Sequence, residues 1–267
     1  MSPSTLLKAS NMRSLIVFVV CLAFFISASP IALAAGASIK LSPTSGPPTS
    51  KVTVSGTGFG ASEKVTITFD TTSVGAATTS SSGTFSQNIT VPKSALPGNH
   101  TVKATGQTSK LTASATFLVR TNWSMYGFDL LHTHLNPYEN VLSPSNVSKL
   151  QLDWSFTTGA FIHSSPAVVN GVVYVGSDDQ NVYALNSTTG AKKWSFHAGG
   201  GIDFSSPAVA NGVVYIGSGD HNVYALNATT GAKLWSFTTG SFVFSSPAVV
   251  NGVVYIGSDD AKVYAFH

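Results

Sequence analysis

Apolar and polar residues alternate with a period of two in the strand segments of residues 38–119. Val65, Ile67 and Phe69 are interleaved with Lys64, Thr66 and Thr68, and Ala113, Ala115, Phe117 and Val119 alternate with Thr and Ser. That period gives a strand one buried and one wet face. It predicts strands at Ser38–Pro43, Lys51–Phe59, Glu63–Asp70, Gly83–Pro92, Asn99–Gly106 and Thr112–Val119. Turn-rich breaks at Ser45-Gly46-Pro47-Pro48, Gly60-Ala61-Ser62 and Leu96-Pro97-Gly98 separate them. Six or seven short strands in about 80 residues predict an immunoglobulin-like sandwich over residues 35–120.

Further on the pattern is written three times. Copies begin at Ser164, Ser205 and Ser245, and the third stops at His267. One extra glycine within Gly199–Gly201 accounts for the unequal spacing. In the first copy Ser165–Val169 is the expected inner strand, and Asn170-Gly171 a hairpin turn whose residues tolerate positive φ. Val172–Ser177 returns, Asp178-Asp179-Gln180 turns, Asn181–Asn186 is the third strand and Ala191–Phe196 the outer one. A period near 40 with four short strands per unit predicts propeller blades. Lys149–Thr158 reads as a lone strand ahead of them. The chain thus divides into residues 121–149 as a bridge and 150–267 as the blades. It is all-β, a sandwich followed by a partial, three-blade propeller.

The N-terminus has a different pattern. Lys8 and Arg13 precede the apolar run Leu15–Ile26, and Ala32-Leu33-Ala34 has the small-x-small form of a cleavage site. Residues 1–34 therefore read as a signal peptide, since the run falls short of the ~20 apolar residues of a membrane span. Cys21 lacks the small neighbours of a lipid-modified cysteine. Cleavage after Ala34 would leave no cysteine, which excludes thiol nucleophiles, disulfides, iron–sulfur clusters and cysteine-ligated zinc. The protein is expected to be secreted or at the cell surface.

Charge separates the two modules. Residues 35–120 hold seven Lys/Arg against Glu63 and Asp70, a net +5, and residues 121–267 hold five Lys against nine Asp/Glu, a net −4. No basic stripe is interleaved with aromatics, so nucleic acid is not an expected partner.

Two stretches resemble known families. Leu41–Gly60, LSPTSGPPTSKVTVSGTGFG, resembles the opening of bacterial immunoglobulin-like domains of the IPT/TIG kind, which implies a spacer or adhesive unit. In the copies, Ala184, Gly190 and Trp194 have the spacing A-x5-G-x3-W, and Ala225, Gly231 and Trp235 repeat it. This resembles the pyrroloquinoline-quinone (PQQ)-like propeller repeat and its tryptophan-docking motif. The Asn122–Gly127 stretch, Asn146–Leu150 and Trp154 also resemble the lead into the first blade of quinoprotein dehydrogenases. The resemblance implies that Trp154, Trp194 and Trp235 are buried between blades, over small residues that permit close approach. Where the family usually has Asp two residues after the Ala, this chain has Asn186 and Asn227.

Candidate chemistry is sparse. Asp179, Asp220 and Asp260 recur at one place per blade, beside Asp178, Asp259 and His221. These turns share one propeller face with His163, Asp203 and Phe204. One reading is an acidic rim for a cation or a basic partner. The other is that Asp-x-Asn caps a tight turn with its own side chain, and turn chemistry alone explains Asp there. His132-x-His134 would offer two imidazoles to a metal, with no third ligand signalled nearby. Asn88, Asn99 and Asn186 fit the glycosylation pattern in Thr-rich turns. The Ser-Ser-Pro triplets lack nucleophile-elbow glycines.

No catalytic, cofactor-binding or metal residue is therefore assigned. The expected function is an exported, non-catalytic binding or scaffold protein, presenting a PQQ-like propeller on an immunoglobulin-like spacer to a protein or cell-envelope partner. A quinoprotein oxidoreductase remnant using PQQ and calcium, and a cell-surface adhesin, are the alternatives. Leu150–Phe156 matches the outer Trp strands, and the open blade edges invite a homodimer in which each chain lends that segment to the other.

Overall fold

The computed structural model describes residues 36–267; the expected signal peptide, residues 1–34, lies outside them. Eight strands form the sandwich: β1 (Ser38–Ser42), β2 (Ser45–Gly46), β3 (Lys51–Thr57), β4 (Lys64–Phe69), β5 (Thr72–Thr78), β6 (Phe85–Thr90), β7 (Gly98–Gly106) and β8 (Thr112–Val119). One sheet has the order β1-β3-β6 and the other β2-β8-β7-β4-β5. The alternation read from the sequence decides which side chains face inward. Val52, Val54, Val65, Ile67, Val102, Phe117 and Val119 are buried in one core, each worth about 1.5–3 kcal/mol on a transfer scale. β5 lies where no strand was expected. Its sequence, Thr72-Ser-Val-Gly-Ala-Ala-Thr78, has no buried face, and the open edge of β4 orders it through an antiparallel ladder.

Glu63 ties the sandwich loops together. Its carboxylate accepts bonds from Ser109 Oγ (2.6 Å), Gly60 N (2.7 Å), Ser109 N (2.8 Å) and Thr108 N (2.9 Å). The Ser109 bonds lead in holding its pKa at about 2, against the opposing effect of burial. Gly106 lies so close that a Cβ there would sit 2.3 Å from Glu63 Oε1.

The first blade is a meander of β9 (Ala167–Val169), β10 (Val172–Gly176), β11 (Asn181–Asn186) and β12 (Lys192–His197). The second is β13 (Ala208–Ala210), β14 (Val213–Gly217), β15 (Asn222–Asn227) and β16 (Lys233–Thr238). The third has β17 (Ala248–Val250), β18 (Val253–Ser258) and β19 (Lys262–Phe266). Asn170 and Gly171 both have positive φ, 54° and 76°, as an Asn-Gly hairpin turn requires. Inner strands lie side by side, β9 by β13 and β13 by β17. The bridge runs along the first two, with Trp123 exchanging two 2.7 Å backbone bonds with Val168 and Ser124 O accepting from Val209 N.

One expected element is different. Lys149–Thr158 is not a strand: Val147–Lys149 is a 3-10 turn, and Leu150–Thr158 forms no ladder. The segment has an outer strand's side-chain pattern, but no third strand lies beside it to bond its backbone. Its side chains dock nonetheless, Trp154 and Phe156 packing against the first blade's Val175, Tyr183 and Leu185 cluster.

Candidate functional site

The docking residues show how neighbouring blades are locked. Trp194 of β12 is buried, its indole Nε1 donating to Ala228 O of the next blade at 3.0 Å. The ring covers Gly231, where a Cβ would lie 2.7 Å from the indole, so only glycine fits. Trp154 repeats the arrangement on Gly190, with Nε1 donating to Ser187 O at 3.1 Å. Ala184 and Ala225 are buried and stand opposite Trp194 and Trp235 in their own ladders. The expected burial of Trp235 is corrected: this ring is 39% exposed, because the third blade presents to it, among the described residues, no glycine turn like those that Trp154 and Trp194 cover at Gly190 and Gly231. It rests against Phe266, 4.8 Å between centroids, beside a groove of about 400 Å³ lined also by Tyr215, Ala225, Val254 and Ala265.

The repeated aspartates divide into two sets. Asp179 Oδ1 accepts from Asn181 N at 3.0 Å, the turn cap read from Asp-x-Asn. Its Oδ2 accepts from Gly159 N and from Tyr183 Oη, each at 2.7 Å. Asp220 does the same with Asn222, Gly199 and Tyr224, and Asp260 with Lys262, Gly240 and Tyr264. Each glycine lies on the chain leaving the preceding tryptophan segment, so every Asp–Tyr pair staples one blade to the approach from the one before. Burial opposes ionisation of Asp179 and Asp220, yet the tyrosine and backbone donors outweigh it and hold both carboxyls below their ordinary value. Burial and the adjacent Asp179 push Tyr183 up to about 12. The tyrosines and glycines were missed in the sequence, although Asp-x-x-x-Tyr stands in all three copies.

Asp178, Asp203 and His163 come together on the face beside those staples. His163 Nε2 is 3.4 Å from Asp178 Oδ2, while Asp178 Oδ1 is buried without a hydrogen-bond partner among the described residues. Burial, then the charge of Asp178, pushes the Asp203 carboxyl above its ordinary value. A file of rings crosses the same face. Phe161 lies 6.0 Å from His163, His163 5.2 Å from Phe204, and Phe204 5.7 Å from Phe244. Phe244 stacks on Phe242 at 5.2 Å, and Phe242 meets His221 at 5.1 Å. Asp178 N bonds Phe161 O and Asp259 N bonds Phe242 O, which sets a carboxylate beside each end. Phe161, Phe242 and Phe244 were not singled out in the sequence. His132 and His134 occupy a loop, both edge-on to Tyr126.

A family profile described as "Glucose/ethanol/alcohol dehydrogenase, beta-propeller domain" matches residues 123–204. One described as "Outer membrane protein assembly factor BamB" matches residues 197–267, and "IPT/TIG domain" matches residues 39–119. Residues 123–267 are PQQ-type propeller repeats, preceded by an IPT/TIG domain. The chain is 28% identical over 86 residues to 1-butanol dehydrogenase (cytochrome c) of Thauera butanivorans, covering 32% of this chain and 12% of that protein. Europium-containing methanol dehydrogenase is similar at 26% identity and a TM-score of 0.47, over 54% of this chain and 30% of its own. Quinohemoprotein alcohol dehydrogenase ADHIIG of Pseudomonas putida HK5 gives 27% and 0.49, over 54% and 25%. The chain thus spans a minor part of each relative's length.

A quinone with calcium needs convergent carboxylate and amide groups in a deep pocket. Among the described residues, no group of three or more His, Cys, Asp or Glu is placed to hold a metal ion. The staple aspartates already accept from backbone and tyrosine donors, and the ring file is an exposed surface. The described residues of these repeats do not by themselves bring together such a set of groups. Among the same residues, no helix is long and apolar enough to cross a membrane.

Proposed function

We propose that this is an exported, non-catalytic binding or scaffold protein, whose IPT/TIG sandwich carries the propeller and whose aromatic face meets a protein or cell-envelope partner. One observation carries the reading. Asp179, Asp220 and Asp260 are engaged in holding blades together, which leaves exposed rings and Asp178, Asp203 and Asp259 as a contact surface. The match of residues 197–267 to a profile described as an assembly factor supports it by likeness. Export rests on residues 1–34 and the all-β, Ser/Thr-rich composition that follows.

The second reading, a quinoprotein oxidoreductase, is favoured by the dehydrogenase profile over residues 123–204 and the 28% identity to 1-butanol dehydrogenase. Adding PQQ and calcium to the secreted protein and measuring alcohol-dependent dye reduction separates the two. No reduction is expected; turnover with a stoichiometric quinone would replace the binding reading. A cell-surface adhesin would differ in retaining polysaccharide or cell-wall fractions. Self-assembly would use the open edge of the third blade, where Val263 of β19 is exposed beside the exposed Trp235 and Phe237 of β16. A second chain's Leu150–Phe156 has the side-chain pattern to pair with β19 there.

A further inference from the structure

The ring file is unusual in three respects taken together. It is exposed: Phe161, Phe204 and Phe242 are 76%, 60% and 43% accessible, as one contiguous patch rather than scattered single residues. It is continuous across all three blades, with neighbouring rings 5.1–6.0 Å apart. It is also one-signed. The loops that build this face, residues 159–164, 177–180, 198–205, 218–221, 239–245 and 258–261, contain six Asp and neither Lys nor Arg. The nearest lysine, Lys262, is turned to Asp260 at 3.4 Å.

We infer that this face is a docking strip for a cationic peptide segment, its Lys or Arg side chains lying over the phenyl rings and reaching Asp178, Asp203 and Asp259. The inference rests on the binding reading above and names the chemistry of the partner. A guanidinium or ammonium over an aromatic face is attracted by the ring quadrupole, and a carboxylate beside the ring adds a charge-assisted hydrogen bond. Asp178 Oδ1 is buried with no hydrogen-bond partner among the described residues, and Asp203 stands beside the Asp178 carboxylate; a cation held against the exposed side of the pair would offset their mutual repulsion. An extended peptide puts every second side chain on one face about 7 Å apart, a wider step than that between neighbouring rings, so its cations would meet the file without one-to-one register. A neutral sugar would stack on the rings without answering the surplus of acceptors.

The test uses the full-length secreted protein and a fluorescein-labelled octapeptide of alternating Lys and Gly, with a Glu-Gly peptide and maltohexaose as comparison probes, all read by polarisation or competition. Saturable binding of the Lys-Gly peptide is expected, weakening tenfold or more between 50 and 500 mM salt. Phe204→Ala, and separately Asp178→Asn with Asp203→Asn, should each weaken it at least fivefold with unchanged urea midpoints. Asp153→Asn, exposed and away from the face, should not. If Phe204→Ala has no effect while every lost Asp weakens binding equally, Asp153 included, the attraction is diffuse and the strip is refuted. Binding of maltohexaose that Phe204→Ala abolishes would make it a carbohydrate site instead. Failure of the Lys-Gly peptide to bind at all overturns the cationic strip but leaves the scaffold reading standing, whereas that reading falls only to PQQ-dependent turnover.

Discussion

Trp194→Ala and Trp235→Ala should differ sharply, although both residues stand at the same position of the repeat. Trp194 is 9% exposed, covers Gly231, packs 5.8 Å from Tyr174 and donates to Ala228 O. Its removal opens a cavity between two blades and leaves the partly buried Ala228 carbonyl with Tyr174 Oη as its remaining side-chain donor, a loss of about 3–5 kcal/mol. Trp235 is 39% exposed and touches mainly Phe237 and Phe266, which can close over the gap, so its removal should cost about 1–2 kcal/mol. With a urea slope of about 2 kcal/mol/M, the midpoint falls by roughly 2 M for the first variant and under roughly 1 M for the second. The chain's four tryptophans and eight tyrosines all follow residue 120. Intrinsic fluorescence therefore follows the bridge and propeller without interference from the sandwich. Sub-micromolar protein disfavours association by mass action; if a second copy covers β19, the Trp235→Ala loss should grow with concentration, alongside a doubled mass in light scattering. Equal midpoint losses at high dilution would refute the docking geometry.

Tyr224→Phe removes the donor to a partly buried carboxylate and should lower propeller stability by about 1.5–3 kcal/mol, read from the same fluorescence transition. The sandwich should be most stable between roughly pH 4.5 and 6.5 by circular dichroism. Glu63 has a depressed pKa, so its contribution is complete above its ordinary value of 4.5 and is lost as pH falls toward about 2. His100 works in the opposite direction: burial resists its charging, but the bond to Asp70 raises its pKa, so its contribution is complete below 6.5 and fades as pH rises through the raised value. A profile still rising above pH 8 would contradict this pairing. If residues 1–34 are a cleaved signal, the intact mass of the mature product should begin at Ala35; a product retaining Leu15–Ile26 in the membrane fraction would make that segment an anchor.

The blades were readable because their local and tertiary signals agree. Asn170-Gly171 demands a hairpin, and Val172–Gly176 and Asn181–Asn186 carry enough apolar residues to fill the space between neighbours. Period alone says which face of a segment suits burial, not whether a partner strand exists. Leu150–Phe156 has the outer-strand pattern and no ladder, while Thr72–Thr78 has no pattern and does have one. The turn role of Asp179 was local and therefore visible; its bond to Gly159 crosses between blades and was not. The ring file was hidden for a related reason. His163, Phe204 and Phe244 occupy one repeat position with differing residues, and single aromatics in separate loops form a row only when blades stack.

Hydrogen exchange read by mass spectrometry on the purified protein, with the Lys-Gly peptide in one arm and PQQ plus calcium in the other, tests the proposed binding face against the enzyme reading most directly. Protection of residues 159–164, 198–205 and 239–245 by the peptide, and none by PQQ with calcium, is the predicted result. Protection of these loops by the quinone and calcium, with the peptide inert, would contradict it.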